Sequence, residues 1–200
     1  MKYFISLLIF VSITFNPILV LADEMVLAGG CFWCLENDLE DLNGINYVES
    51  GYSGGVLQNP TYENHFGHQE VVFINYDEKA VDFKDILRLY LRNIDPLDDG
   101  GQFCDRGDSY KPVIFFDNEE EKYKSKAALL AASKELMLTL NKIKVELKPK
   151  SKFWIAEDYH QDFADNNALK YKFYRFTCGR DQKLDQLWGD NARSINAWNK

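Results

Sequence analysis

Two cysteines, Cys31 and Cys34, form the segment of this sequence that is best suited to chemistry. Gly29-Gly30 precedes them and Phe32-Trp33 lies between them. The glycines let the backbone turn sharply into a predicted helix that opens at Cys31. Free N–H groups and a partial positive charge at a helix start stabilise a thiolate. We therefore expect Cys31 to have a lowered pKa and to act as a nucleophile, with the two aromatic residues as an apolar wall beside it.

The cysteines also fit other roles. The chain has four, at Cys31, Cys34, Cys104 and Cys178, and in an oxidising compartment they could form two structural disulfides in three possible pairings. A Cys-x-x-Cys pair also fits a thioredoxin-type oxidoreductase, although that fold normally carries Gly-Pro between the cysteines. Metal binding is less favoured, because Cys104 and Cys178 supply no second Cys-x-x-Cys pair. The cysteines alone leave a nucleophilic enzyme, an exported thiol-disulfide oxidoreductase and a non-enzymatic secreted module all open.

Several short motifs follow one another along the chain in the order of one enzyme family. They are Gly30-Cys31-Phe32-Trp33-Cys34, Asn59-Pro60-Thr61-Tyr62, Gly67-His68-Gln69-Glu70-Val71, the set Asp105, Gly107 and Tyr110, and Ala156-Glu157-Asp158-Tyr159-His160-Gln161. This series, from Met25 to about Cys178, resembles the A-type peptide methionine sulfoxide reductases. The chain departs from the family at position 34, which is often Gly, in a short loop between Tyr62 and Glu70, and in a charged tail after Cys178.

The resemblance implies an enzyme, a peptide-methionine (S)-S-oxide reductase that returns peptide-bound and free methionine S-sulfoxide to methionine. Cys31 would attack the sulfoxide sulfur while the oxygen gains protons. Glu70, at the start of an apolar strand, would stay protonated and act as the acid. Tyr62 and Tyr110 would donate hydrogen bonds to the sulfoxide oxygen. Asp105 would orient the site through a water or a neighbouring hydroxyl.

These candidates also have ordinary structural interpretations. Phe32-Trp33 would hold the substrate methyl group, but the pair also fits an apolar core. Glu70 could be a solvated residue at a strand start, and the two candidate tyrosines are two of 11 in the chain. His68 and His160 are interpreted as hydrogen-bonding structural histidines and stay outside the catalytic set.

Attack would leave a sulfenic acid on Cys31, which a second thiol should convert to a disulfide. The resemblance favours Cys178 as this resolving thiol, on a C-terminal segment that can fold over the site. Cys34, one helical turn away, and Cys104, beside Asp105, remain alternatives, although the local backbone would resist closing a Cys31–Cys34 bond. A thioredoxin-like or other dithiol reductant would then reopen the disulfide. No bound cofactor or metal is expected, since the sequence has no phosphate loop and no metal-ligand cluster.

The elements that must position these residues follow from the spacing of apolar residues. The pattern predicts strands at 25–28, 45–52, 70–76 and 110–116, and helices at 31–42 and 81–94. This order is the split βαβ of an α+β, ferredoxin-like two-layer sandwich, with helices on one face of an antiparallel sheet. A C-terminal extension should add a helix from a capping box at Asn118 and Glu121 to about Leu140. It should also add short strands at 145–147 and 153–155, a helix from 158 to 170, and a final helix containing Leu184, Leu187 and Trp188.

The first 22 residues have the pattern of a secretory signal peptide. Lys2 is their only charge, an apolar run extends from Phe4 to Val20, and Val20-Leu21-Ala22 precedes Asp23. An uncleaved N-terminal anchor is the alternative, because the run is almost long enough to span a bilayer. We therefore expect one catalytic domain at 23–200 in an exported, periplasmic protein, with secretion or N-terminal anchoring as the other options.

The charge of the chain bears on its partners. The net charge is −8, and removing Lys2 with the signal segment would make it −9. Such an acidic protein offers no electrostatic footprint for nucleic acid. The expected partners are oxidised proteins and free methionine sulfoxide as substrates and a thioredoxin-like reductant. The protein is expected to be a monomer without membrane contact once the signal is cleaved.

Overall fold

The computed structural model describes residues 23–198. The predicted signal peptide, at 1–22, lies outside the described residues. Within 23–198 there is no helix of the length and apolar character that a membrane crossing requires.

A mixed six-stranded sheet forms the centre of the molecule. The strands along the chain are β1 (Asp23–Ala28), β2 (Ile45–Ser53), β3 (Gln69–Tyr76), β4 (Gly101–Gln102), β5 (Asp105–Arg106), β6 (Val113–Phe116), β7 (Glu146–Pro149) and β8 (Trp154–Ile155). The sheet order is β7-β6-β1-β3-β2-β8, and β4 and β5 form a separate hairpin. All neighbours in the sheet are antiparallel except β6 and β7. The inner order β6-β1-β3-β2 is compatible with the predicted split βαβ arrangement, and the α+β prediction is confirmed.

The helices are α1 (Phe32–Glu40), α2 (Phe83–Leu91), α3 (Glu119–Glu135), α4 (Phe163–Asn166), α5 (Ala168–Cys178) and α6 (Arg180–Trp188). Single 3-10 turns lie at Asp108–Tyr110, Leu140–Lys142, Asp158–His160 and Gly189–Asn191.

Alternate residues of β1 point to opposite faces of the sheet, and each face packs in a separate hydrophobic core. Met25 and Leu27 pack in the core that includes residues of α1, α2, α3 and α6. Val26 and Ala28 face a smaller cluster that Phe73 and Phe153 cover.

The end of α3 differs from the prediction for a local reason. The α3 helix begins as predicted, since Asn118 Oδ1 accepts from the Glu121 amide at 2.9 Å. It ends at Glu135 rather than near Leu140, because Met137 has a φ of 55°. The Leu138 amide then donates to Ser133 O at 2.8 Å, which closes a Schellman motif without glycine.

The prediction of one helix over 158–170 is wrong, because the structure has three separate helical elements between 158 and 178. Asp162 adopts a left-handed φ of 50°, and Asn167 has φ −133° and ψ 42°. These two residues separate a 3-10 turn, the short α4 and the longer α5. The α5 helix continues to Cys178, where Gly179 with a φ of 70° ends it. This extension brings the C-terminal segment back to the start of α1.

Candidate active site

Cys31 lies where β1 ends and α1 begins. It is the N-cap residue of α1, with φ −54° and ψ 122°. The preceding Gly30 has a φ of +86°, and a β-carbon there would lie 2.7 Å from Gln102 Cβ. Glycine is therefore required for the close approach of this turn to the segment that carries Gln102. The side chain of Cys31 is 5% exposed, so the site opens to solvent only narrowly.

Glu70 lies beside this helix start. It occupies β3 opposite Tyr52 of β2, and it is 1% exposed. Its Oε2 accepts a hydrogen bond from the Phe32 amide at 3.2 Å. Burial raises the pKa of Glu70 to about 8, with a smaller upward contribution from the charge of Asp105, against hydrogen bonds from the Phe32 amide and from Tyr110. The carboxyl group therefore holds its proton at neutral pH.

A small cavity brings most of the predicted site residues together. Its volume is about 40 Å³, and its lining consists of Cys31, Phe32, Trp33, Tyr62, Glu70, Asp105, Tyr110 and Tyr174. A cavity needs about 10–15 Å³ of such volume to hold one water molecule, so this one can accept a small group such as the end of one side chain. Every predicted catalytic or substrate-binding residue except Cys178 lies in this lining.

The prediction of a lowered pKa for Cys31 is wrong for this state of the protein. Burial raises the pKa of the Cys31 thiol, and Cys34 raises it further. The pKa of Cys34 is lowered instead, chiefly by a hydrogen bond from Cys31 and also by the positive charges of Arg180 and Arg175. Both thiols are free, and Cys34 is 1% exposed. Burial therefore acts against a Cys31 thiolate, while the two arginine charges act in favour of a Cys34 thiolate.

Arg180 and Arg175 reach this position from the C-terminal segment. Arg175 Nη1 donates to Asp38 Oδ1 at 2.7 Å and to the Tyr171 hydroxyl at 2.8 Å. Arg180 is 1% exposed, and its Nη2 donates to Asn93 O at 2.6 Å. These contacts hold two cations near α1, so the positive charge that favours a Cys34 thiolate comes from arginine side chains.

Cys178 is bonded to Cys104, with an S–S distance of 2.04 Å. It is therefore not a free thiol beside Cys31 in this form, and the described residues hold one bridge rather than the two of the structural interpretation. Asp105 contacts both sulfurs of the bridge, at 3.8 Å from Cys104 and 4.0 Å from Cys178. Within residues 23–198, Cys104, Asp105 and Cys178 are the one group close enough to share a metal ion, and the two sulfurs are already bonded to each other.

Tyr174 is a site residue that the sequence interpretation missed. Its hydroxyl donates to Asp105 Oδ2 at 2.5 Å, and the residue packs beside Cys31 in the lining of the same cavity. The signal was present in α5, because Tyr171, Tyr174 and Cys178 are spaced three and four residues apart on one helical face. The motif that carried the resemblance did not include this helix.

The Ala156–Gln161 motif positions the aromatic residues of the site. His160 Nδ1 accepts from Trp33 Nε1 at 3.0 Å, which agrees with a structural, hydrogen-bonding histidine. Phe163 stacks on Trp33 with ring centroids 3.7 Å apart. The carboxylate of Glu157 accepts from the Tyr62 amide at 2.9 Å and from the Tyr52 hydroxyl at 3.0 Å. These contacts fix the loop that carries Tyr62 over the cavity.

Comparison with known proteins identifies the same family that the sequence motifs resemble. The family model of peptide methionine sulfoxide reductase matches residues 23–192. Peptide methionine sulfoxide reductase MsrA 2 of Caulobacter vibrioides is 45% identical over 171 residues, covering 84% of this chain and 86% of that protein. The protein of the same name in Rhizobium meliloti is 42% identical over 169 residues, covering 84% of each.

A solved structure shows the same fold. The reduced form of Mxr1 from Saccharomyces cerevisiae superposes with a TM-score of 0.68 at 23% identity, covering 78% of this chain and 90% of that one. Mxr1 in complex with Trx2 superposes with a TM-score of 0.52 at 18% identity, covering 74% and 89%. Family match, high identity and fold agree: the chain belongs to the peptide methionine sulfoxide reductase family, A type, and is an oxidoreductase that reduces methionine sulfoxide at the expense of thiols.

Proposed function

We propose that Cys31 reduces the S epimer of methionine sulfoxide, peptide-bound or free, with Glu70 as the proton donor. The observation that carries this proposal is the buried Glu70 carboxyl group, which is bonded to the amide of the residue next to Cys31. A carboxyl group with a pKa of about 8 can give a proton near neutral pH. The sulfoxide oxygen is a poor leaving group and needs that proton.

In the proposed reaction the Cys31 sulfur attacks the sulfoxide sulfur. The oxygen receives the proton of Glu70, while Tyr62 and Tyr110 donate hydrogen bonds to it from the cavity wall. Phe32 and Trp33 hold the methyl group against apolar surface. The oxygen passes to Cys31, so the products are methionine and a Cys31 sulfenic acid.

We propose Cys34 as the thiol that resolves this sulfenic acid. Three observations support it over Cys178, the residue that the family resemblance favours. Cys34 is free, its amide donates to Cys31 O at 3.1 Å and its pKa is lowered, whereas Cys178 is bonded to Cys104. Attack of the Cys34 sulfur on the Cys31 sulfur forms the disulfide, and the oxygen leaves as water.

The proposed electron donor is a thioredoxin-like dithiol protein acting on a monomer. Reduction of a Cys31–Cys34 disulfide needs two electrons, and a dithiol supplies them by exchange through a mixed disulfide. The complex of yeast Mxr1 with Trx2 supports this choice by analogy of fold alone. No cofactor is required by these steps.

We propose that the enzyme works outside the cytoplasm, after cleavage of residues 1–22. The Cys104–Cys178 bond supports this proposal, because stable disulfides are typical of oxidising compartments. Mass measurement of the mature chain tests cleavage: a mass that begins at Asp23 is expected. A chain that retains Met1 and stays with the membrane would contradict it.

A stereospecific assay tests the proposed activity. Each epimer of a methionine sulfoxide peptide, and of the free amino acid, is incubated with the enzyme and a dithiol, and methionine is counted. We expect methionine from the S epimers only. Equal rates on both epimers, or re-pairing of a scrambled disulfide protein without any methionine formed, would contradict the proposal.

A further inference from the structure

Tyr174 lies beside both the nucleophile and a second carboxyl group. Its hydroxyl donates to Asp105 Oδ2 at 2.5 Å, and the residue packs in one cluster with Cys31. Its ring packs edge-on against Trp33, with centroids 5.9 Å apart. Cys31, Tyr174 and Asp105 therefore lie together on the wall of the same cavity as Glu70, and the tyrosine hydroxyl is already bonded to the carboxylate.

The reaction needs a group that accepts the proton of Cys31. The thiol is 5% exposed, and its pKa is raised by burial, so it enters the reaction protonated. Glu70 cannot accept that proton, because it must supply its own to the sulfoxide oxygen. A second proton path is therefore required.

We infer that Tyr174 is a catalytic residue, whose hydroxyl passes the Cys31 proton to the Asp105 carboxylate as Cys31 attacks the sulfoxide. The inference rests on the proposed function. In the step, the S–H proton moves to the phenol oxygen, and the phenol proton moves to Asp105 Oδ2. Glu70 gives its proton to the sulfoxide oxygen at the same time, so Asp105 ends protonated, Glu70 ionised, and the net charge of the site is unchanged.

The fold fixes the positions of both Tyr174 and Asp105, the two residues of this proton path. Asp105 lies in the β4–β5 hairpin, and Tyr174 lies one turn before Cys178 at the end of α5. The disulfide between Cys104 and Cys178 ties the hairpin to that helix end, and the Cys104 amide donates to the Cys178 sulfur at 3.2 Å. Burial raises the pKa of Asp105 against the Tyr174 hydrogen bond, which makes the carboxylate a better proton acceptor.

The test measures the first turnover alone. Reduced enzyme is freed of external dithiol and mixed with saturating methionine S-sulfoxide, and methionine formation is followed at several pH values. The variants are Tyr174→Phe, Asp105→Asn and the double variant, with Tyr123→Phe as control because that residue is 74% exposed on α3. A lost proton-transfer residue costs roughly 100-fold in rate.

We expect Tyr174→Phe to slow the first turnover about 100-fold while one methionine is still formed per enzyme. The ratio of the wild-type rate to the variant rate should fall as pH rises, because hydroxide then removes the Cys31 proton directly. Ionisation of Glu70 slows both proteins equally, so it does not change this ratio. The double variant should be no slower than the slower single variant. A rate within twofold of wild type, a ratio that is constant with pH, or additive losses would overturn the inference.

Two further results separate this inference from its alternatives. Cys34 also contacts the Cys31 thiol, and if Cys34→Ser slowed the first turnover while Tyr174→Phe did not, Cys34 would be the proton acceptor and the inference would fall. Wild-type enzyme that forms no methionine from the S epimer would instead refute the proposed function itself.

Discussion

Glu70 Oε2 lies 3.2 Å from the backbone nitrogen of Phe32, the residue that follows Cys31. The acid is on β3 and the nucleophile is at the first turn of α1, and this hydrogen bond joins the two elements. This hydrogen bond orients the carboxyl group, which lines the cavity together with Cys31. Proton donor and nucleophile are therefore held in a fixed relationship before substrate binds.

Replacing Glu70 by Gln should slow the first turnover by about 100-fold or more. The amide keeps the shape of the side chain but has no acidic proton. The pKa of Glu70 is about 8, so the wild-type rate should fall as pH rises through about 8, and the variant should lack that limb. Rapid-quench measurement of methionine checks both. Glu120→Gln, on the exposed face of α3, is the control, and a Glu70→Gln profile identical to wild type would remove Glu70 from the chemistry.

The resolving thiol can be identified by counting turnovers. With a thioredoxin-like donor in excess, Cys34→Ser should form about one methionine per enzyme and then stop, because its sulfenic acid has no adjacent thiol. Cys104→Ser and Cys178→Ser should continue to cycle. The reverse pattern, in which Cys178→Ser stops after one turnover and Cys34→Ser cycles, would assign the resolving step to Cys178.

Loss of the surface disulfide should lower stability. The bridge joins residues 74 apart in sequence, and a loop of that size costs the unfolded chain roughly 2–5 kcal/mol of conformational freedom. Cys178→Ser should therefore lower the free energy of unfolding by about that amount in denaturant titrations. Adding a strong reductant to the wild type should bring it to the value of the variant. An unchanged denaturation midpoint in both cases would show that the bridge does not stabilise the fold.

Glu36 should make the protein less stable as pH rises. It is 2% exposed, one of its carboxyl oxygens has no hydrogen-bond partner, and burial raises its pKa from 4.5 to about 7. The pKa of Glu36 is higher in the folded protein than in the unfolded chain. Its contribution to the free energy of unfolding is therefore complete below about pH 4.5 and is lost as pH rises to about 7. Denaturant titrations from pH 5 to pH 8 should show stability falling, and Glu36→Gln should flatten part of that slope. An equal slope in both proteins would contradict this assignment.

The sequence predicted the positions that depend on local signals. These signals involve only residues that are neighbours in the sequence. They are the glycine turn at Gly30, the apolar pattern of β1 and β3, and the capping residue Asn118. The family motifs then identified seven of the eight residues that line the cavity. Their roles stay predictions from the family resemblance, and the structure brings the residues together in one cavity.

Features that depend on distant contacts could not be predicted. The raised pKa of Cys31 results from burial under the C-terminal segment, and the lowered pKa of Cys34 depends on Arg180 and Arg175, which lie more than 140 residues away in sequence. The pairing of Cys104 with Cys178 was one of several possibilities. Tyr174 lies outside every motif, and only the course of α5 places its hydroxyl beside Cys31.

Trapping the sulfenic acid tests the central claim most directly. Cys34→Ser enzyme is given one equivalent of methionine S-sulfoxide and then a reagent that labels sulfenic acids, and the labelled peptide is identified by mass spectrometry. The account predicts one adduct per chain, on Cys31, and one methionine released for each adduct. Methionine released with Cys31 unlabelled, or an adduct on another cysteine, would show that Cys31 is not the atom that receives the oxygen.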